Sequence, residues 1–347
     1  MIVLGIESTA HTFGIGIIKA KRNQCYILSN QRSLYTTESG GMIPSKVSQF
    51  HIDNSAIILE KAMKEAKIRF KDIDLIAYSE SPGIGHSLRI GAACARTLAI
   101  KLNKPIIGVN HCIAHLEIGR VMTKAKDPIL LYLSGANTQV IAYEAGKYRI
   151  FGETLDIGIG NFLDSFAREL KLGFPGGPKV SKLAEGKKTS SKLQKIIKPK
   201  YIELPYVVKG MDVSFGGILT NLKQKIKSEK FNKEYDAHDL CYSAQETVFS
   251  MMLEVAERAM AHCNKNELLL GGGVACNNRL KEMTTQICKD RKAKSYFLAN
   301  ELNVDNGIMI AWLGFVMYQA RKKETTIKKA KIRPYIRTDE VKVTWRK

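Results

Sequence analysis

The 347-residue sequence is 45% hydrophobic and 25% charged, which excludes a disordered chain and fits a globular protein of two domains. Its 54 Lys and Arg against 33 Asp and Glu give a net charge of +21, pointing to a polyanionic partner, nucleic acid first, with a solvated lysine-rich surface as the alternative. No apolar stretch is long enough to span a membrane, the chain opens without a basic leader, and its seven scattered cysteines form no C-x-x-C pair, so a cytoplasmic protein with reduced thiols is expected rather than a membrane protein or a disulfide scaffold.

In chain order, Ile2 to Ile18 is an apolar run, a polar turn and a second apolar run, the pattern of a β-hairpin with its polar residues at the tip. Helical patterns follow at Ser48 to Ala66 and Leu88 to Leu102, the second entered from the strand-like Leu75 to Ser79 through Gly83-Ile-Gly-His-Ser87. The hairpin design returns at Ile129 to Tyr143, with a further strand at Tyr148 to Glu153 and a helix at Phe162 to Leu172. That recurrence suggests an internal duplication. The stretch from Gly173 to Ser214, rich in Pro, Gly and Lys, reads as loops and short helices. Leu268 to Val274 leads into a helix near Asn277, and an apolar helix runs from Ile308 to Tyr318. Strands alternating with helices imply two α/β lobes facing a cleft. Lysines crowd two segments: Lys179, Lys182, Lys187, Lys188, Lys192, Lys195, Lys198 and Lys200 in one, Arg321, Lys322, Lys323, Lys328, Lys329 and Lys331 in the other. Few aromatic residues accompany them, which suits phosphate contact better than base stacking.

His111-Cys-Ile-Ala-His115 sets two imidazoles four residues apart on one helix face, a way to present two metal ligands or simply a pair of ordinary histidines. A zinc peptidase also needs Glu directly after the first His, where this chain has Cys112, and Glu117 falls on a different face. The glycine turns Ser134-Gly-Ala-Asn-Thr138, Pro175-Gly-Gly-Pro178 and Gly271 to Asn277 can bring backbone N–H groups close to a phosphate or ribosyl group. None of them has the P-loop or dinucleotide pattern. Val304-Asp-Asn-Gly307 sets a carboxylate and an amide at the start of an apolar helix, and on local grounds the segment reads as a helix N-cap.

Together these segments resemble the universal tRNA threonylcarbamoyltransferases, once labelled glycoproteases, which form the catalytic subunit of the KEOPS complex. The resemblance extends from Ile2 to about Arg346 and is most specific over Arg96 to Leu116, around the paired histidines. Tyr132 to Thr138, Gly160 to Arg168, Pro175 to Lys179, Gly271 to Arg279 and Asp305-Asn-Gly also match, and Arg337 to Trp345 looks like the archaeal and eukaryotic branch. It implies duplicated ribonuclease-H-like α/β lobes of the sugar kinase, chaperone and actin superfamily. The expected division is 1–126, 127–305 with a basic insert at 173–214, and a C-terminal helix and tail, 306–347, returning to the first lobe. It also implies one divalent metal, iron or zinc, held by His111, His115, Tyr132 and Asp305. The turn Tyr132, Leu133, Ser134, Gly135, Ala136 and Asn137, with Asp164, Gly177, Ser181 and Asn277, would hold ATP, AMP or threonylcarbamoyl-adenylate, and His11 would lie near the reacting group as a proton acceptor. Ala136 and Ser181 depart from the family pattern, which usually has Gly and an acidic residue there. The partners implied are tRNA, a kinase-like subunit that is fused in some archaea, and small KEOPS subunits. Two alternatives are a nucleotide-dependent binding module without catalysis, which has no need of the four metal positions as a set, and a metallopeptidase.

Overall fold

The apolar run that opens the chain forms β1 (Ile2–Glu7), paired antiparallel with β2 (Thr12–Lys21) so that Ile6 faces Ile15 and Glu7 faces Gly14. The structure, a computed structural model, describes residues 1–37, 42–188, 196–321, 327 and 330–346. Lys192, Lys195, Lys322, Lys323, Lys328 and Lys329 lie outside the described residues, as do the side chains of Lys188 and Arg321. The sequence reading lacks β3 (Gln24–Leu34), the edge strand beside β2, whose largely half-exposed residues carry no clear two-residue alternation.

Helix α1 (Pro44–Ala66) and helix α2 (Gly85–Leu102) flank β4 (Leu75–Ser81), which joins β1 in parallel and is followed by parallel β5 (Ile106–Asn110). The sheet order is β3-β2-β1-β4-β5. Helix α1 begins earlier than the apolar period suggests because Pro44, with its fixed φ and missing N–H, fits the first helical turn. After β5, the Asn110 side chain accepts from the Ile113 N–H at 3.1 Å and starts α3 (His111–Thr123).

The second lobe repeats this plan. Strands β6 (Ile129–Leu133), β7 (Thr138–Glu144) and β8 (Lys147–Glu153) form the antiparallel part. Helices α4 (Ile159–Glu169) and α5 (Gly177–Ala184) follow, then two short ribbons, β9 (Lys187–Lys188) with β10 (Ile196–Ile197) and β11 (Val208–Lys209) with β12 (Asp212–Val213). Helix α4 stops short of Leu172 because Lys171 and Gly173 both take positive φ. Helices α6 (Gly216–Lys227) and α7 (Ala237–His262) lead to β13 (Glu267–Gly271), α8 (Asn278–Asp290) and β14 (Lys294–Tyr296). The order β14-β13-β6-β7-β8 mirrors the first sheet, with the hairpin pair at one side and parallel strands at the other. The suggested duplication is therefore visible in the topology. Helix α7 has no counterpart in the sequence reading: buried Leu, Val, Met, Phe and Ala lie on most of its sides, so no amphipathic stripe announces it.

The chain then forms α9 (Asn300–Asn303) and α10 (Gly307–Arg321). Helix α10 packs on β1, β2 and β4 of the first sheet and on α3, which itself lies against β13. A helix apolar on nearly every side suits this central position, and Ile308, Met309, Ile310, Ala311 and Leu313 are all fully buried. Close approach depends on glycine: a Cβ on Gly5, Gly16 or Gly307 would run into the backbone of the facing element. The tail beyond α10 contacts both lobes, through Arg333 to Glu80 in one and Arg346 to Asp127 in the other.

Candidate metal and nucleotide site

The tip of the first hairpin and the loop after β4 meet at the start of α3: the Ile84 N–H donates to the Thr9 carbonyl at 2.8 Å, and the Thr9 hydroxyl lies 3.3 Å from His111 Nδ1. His111 and His115, one turn apart on α3, are 4% and 0% exposed, and their rings stand 4.8 Å apart. Asp305, in the turn before α10, places Oδ1 3.3 Å from His111 Nε2 and 3.4 Å from His115 Nε2. The cap of α10 is Asn306, whose side chain accepts from the Met309 N–H at 3.0 Å. The N-cap expected of this segment is thus supplied by its amide, and the carboxylate of Asp305 is left for the histidines.

Ligand atoms of these three residues lie within 4.8 Å of one another. Two donors about 2.1 Å from one tetrahedral ion are about 3.4 Å apart, close to the spacing of Asp305 from each imidazole. Tyr132, on β6, stacks near His115 at 5.1 Å between ring centres, and its hydroxyl is buried without a hydrogen-bond partner. Neither His115 nitrogen has one of good geometry. Buried orphan atoms of this kind are costly, and an ion held by Tyr132 and His115 together with His111 and Asp305 would satisfy the hydroxyl and one of the two His115 nitrogens. The donor set of imidazole, phenol and carboxylate fits iron or zinc.

The tip of the first hairpin supports the His111, His115 and Asp305 cluster from behind. Glu7 is completely buried; its Oε2 lies 2.9 Å from His111 Nδ1, and its Oε1 accepts from the Thr9 N–H at 2.6 Å and the Thr9 hydroxyl at 2.5 Å. A carboxylate on Nδ1 fixes the tautomer that leaves Nε2 free to ligate. Burial alone would lower the His111 pKa, but Glu7 and Asp305 outweigh it and hold it well above its ordinary value. Burial would likewise raise Asp305, yet the facing histidines hold it well below the usual carboxylate range. Burial, reinforced by the charge on His111, lowers His115, and burial pushes Tyr132 well up. Sequence reasoning missed Glu7 and Thr9; the available signal was a carboxylate closing an otherwise apolar, buried strand.

The expected nucleotide residues form a second group. The turn Ser134–Asn137 is closed by the Ser134 N–H donating to the Asn137 carbonyl at 2.9 Å, and α4 is held to it by the Gly160 N–H donating to the Ser134 carbonyl at 3.0 Å. Gly135 and Ala136 are exposed at the tip, and Ala136 lies outside the left-handed region, so its Cβ brings no backbone strain. Gly272, at φ +90, packs against the Leu133 backbone where a Cβ would clash. Asn277 caps α8 through the Leu280 N–H, and its amide donates to Ser181 Oγ at 3.1 Å and Gln245 Oε1 at 2.7 Å. Asp164 accepts from the Gly176 N–H at 2.7 Å, fixing the loop that leads to Gly177. Burial raises the Asp164 pKa, while the N–H groups of Gly176 and Gly177 and the charge of His11 pull the other way. His11 rests edge-on against Phe174 at 5.8 Å, so it faces this group from the first hairpin rather than joining the metal residues.

Glu117 points away, as its spacing implies: it is buried and accepts from Arg120 and from the Trp345 indole at 2.8 Å each, and from the Tyr148 hydroxyl. No helix of the described residues is long and apolar enough to cross a membrane, and all seven cysteines are free.

A family model described as TsaD, tRNA N6-adenosine threonylcarbamoyltransferase, matches residues 26–312. The chain is 50% identical to the tRNA N6-adenosine threonylcarbamoyltransferase of Thermococcus sibiricus and 51% to that of Thermococcus kodakarensis, covering 99% of this chain and all of each relative. It is 45% identical to a probable bifunctional tRNA threonylcarbamoyladenosine biosynthesis protein of Thermoplasma volcanium, over 99% of this chain and 62% of that protein. Among solved structures, HypF of T. kodakarensis aligns at 15% identity and TM-score 0.57, over 90% of this chain and 47% of that one. The (R)-2-hydroxyglutaryl-CoA dehydratase component A of Acidaminococcus fermentans aligns at 14% and 0.52, over 95% and 99%. At those identities the likeness is one of fold, and it agrees with duplicated ribonuclease-H-like lobes.

Proposed function

The chain belongs to the tRNA N6-adenosine threonylcarbamoyltransferase family and is an acyltransferase that forms threonylcarbamoyladenosine in tRNA; from that premise we propose how its residues carry out the transfer. The donor is threonylcarbamoyl-adenylate, and the acceptor is N6 of the adenosine 3′ of the anticodon in ANN-decoding tRNAs. The amine attacks the carbamoyl carbon, the bond from that carbon to the adenylate oxygen breaks, AMP leaves, and the amine gives up a proton. The observation that carries this reading is the meeting of His111, His115 and Asp305 beside the unpartnered hydroxyl of Tyr132.

These four residues would hold one iron or zinc ion, which supplies Lewis acidity for the negative charge that develops in acyl transfer. Glu7 and Thr9 orient His111 for that role. The turn from Tyr132 through Leu133, Ser134, Gly135 and Ala136 to Asn137, with Gly177, Ser181 and Asn277, is the candidate cradle for the adenylate, its exposed N–H groups serving the phosphate. Asp164 keeps the Gly176 loop in place, and His11, opposite it, is positioned to take the amine proton. Lobes 1–126 and 127–305 would each supply part of the site, with 306–347 spanning them. The peptidase alternative has no base to work with, since Cys112 stands where the glutamate is needed and Glu117 is engaged elsewhere.

The excess positive charge suits a tRNA substrate held largely by its phosphates, with affinity that falls steeply as salt rises. We take the extra length of the bifunctional relatives as the counterpart of a kinase-like partner, and this chain works with such a partner, fused or separate, and with the small KEOPS subunits in the cytoplasm. The test is incorporation of labelled threonine into an ANN-decoding tRNA by this chain with partner subunits, ATP, bicarbonate and an adenylate-forming enzyme. Incorporation lost with His111→Ala or Asp305→Ala is the expected result. No incorporation by the wild type, where another catalytic subunit works with the same partners, overturns the reading.

A further inference from the structure

The tail beyond α10 passes along the loop after β4, which itself touches the tip of the first hairpin. The Arg333 N–H donates to the Glu80 carbonyl at 2.8 Å, the Gly83 N–H donates to the Pro334 carbonyl at 3.2 Å, and the Ile336 N–H closes a turn onto the Arg333 carbonyl at 3.2 Å. Arg337 then crosses to the second lobe, meeting Glu153 at 2.8 Å, and Thr338 is buried. Pro334 and Tyr335 are the two central residues of this turn, and proline at the first of them fixes its φ in advance. The turn is thus tied to both lobes.

It also stands one loop away from the metal residues. A Cβ on Gly83 would come within 2.8 Å of the Thr9 carbonyl, which accepts from the Ile84 N–H at 2.8 Å, and the Thr9 hydroxyl is 3.3 Å from His111 Nδ1. At the tip of so constrained a turn, Tyr335 is 92% exposed, more than any other large hydrophobic residue described. Arg333 and Arg337 flank it and are exposed as well.

Resting on the transferase reading, we propose that Arg333 and Tyr335 form a rigid docking turn for the tRNA, in which Tyr335 stacks on an unpaired base beside the reacting adenosine and Arg333 meets a backbone phosphate, while Arg337, paired with Glu153 and Asp339, anchors the turn to the second lobe. Proteins read single-stranded loops by splaying bases onto aromatic faces and arginine planes, and a platform already fixed by hydrogen bonds loses little entropy on binding. The lysine-rich segments, with few aromatic residues, suit phosphate contact alone; this turn adds a base contact.

The experiment titrates a labelled anticodon stem-loop RNA against the full chain and its Tyr335→Ala, Tyr335→Leu and Tyr335→Trp variants, with thermal melting as the control for folding. Tyr335→Ala and Tyr335→Leu weaken binding about tenfold, the size of one base–aromatic stack, while Tyr335→Trp binds like the wild type and all melt alike. Undiminished RNA binding by the Ala or Leu variant overturns the proposal, as does a loss confined to binding of a partner protein. A wild-type chain that binds the RNA but modifies no tRNA in the reconstituted reaction sinks the transferase reading instead.

Discussion

Glu7→Gln would separate the support of the metal site from the site itself. In the structure one carboxylate serves two sides at once: Oε2 meets His111 Nδ1 at 2.9 Å, and Oε1 takes both the N–H and the hydroxyl of Thr9 at 2.6 and 2.5 Å. Glutamine keeps the shape but has one oxygen, so its NH2 must face a donor on one side. If it faces Thr9, a buried N–H is left unpaired, at about 1–3 kcal/mol of stability. If it faces His111, the imidazole loses the acceptor that fixes Nδ1–H, and such losses cost about 10–100-fold in metal affinity, or ~1.4–2.7 kcal/mol. Competition between the protein and a graded chelator, read by metal analysis of the recovered protein, measures the affinity, and thermal melting of metal-free protein measures the stability. A variant that holds metal as the wild type does and also melts at the wild-type temperature, while Asp305→Ala loses its metal, would refute the argument that Glu7 orients His111.

Three further outcomes are expected. Tyr132→Phe should lower retained metal in the same chelator assay yet leave metal-free protein as stable as the wild type or more so, because the hydroxyl it removes is buried and unpartnered; unchanged retention would remove Tyr132 from the ligand set. Gly307→Ala places a Cβ against the Gly16 N–H and the Gly5 carbonyl, so overpacking of about 1–3 kcal/mol should lower the melting temperature and displace Asp305, and a variant with normal melting and metal content would contradict that packing. Asp156 accepts from the Ser214 hydroxyl and the N–H groups of Ile157, Phe215 and Gly216 at the start of α6. Burial would raise its pKa, but these donors outweigh it and pull it from 3.8 to about 2. A depressed carboxylate contributes stability that is complete above 3.8 and lost as pH falls through about 2. Asp156→Ala should therefore cost about 0.5–2 kcal/mol near neutrality and flatten the acid limb of stability, and denaturant melts with an unchanged limb would dismiss the cap.

Much of the plan was legible because its signals are local. Both hairpins, the helices before and after β4 and the repeat of the design could be read from apolar runs and glycine turns, and the four-residue spacing of His111 and His115 already sets them on one helix face. The boundaries of α1 and α4 moved by a few residues where Pro44, Lys171 and Gly173 imposed backbone conformations that hydrophobic periodicity does not register. Strand β3 and helix α7 escaped for opposite reasons, one too polar at a sheet edge and the other apolar on most of its sides.

By itself the sequence determined two units of alternating strands and helices, two imidazoles on one helix face and the turns where backbone can approach a phosphate, since each of these patterns is local. Which residues surround that pair was decided only by tertiary structure. Glu7 reaches His111 from more than a hundred positions away, Asp305 arrives from the turn before α10, and Tyr335 comes beside Gly83 only because the tail crosses between lobes. Contacts of that range follow from how α3 and α10 pack between two sheets, and the pattern within any one segment does not encode that packing.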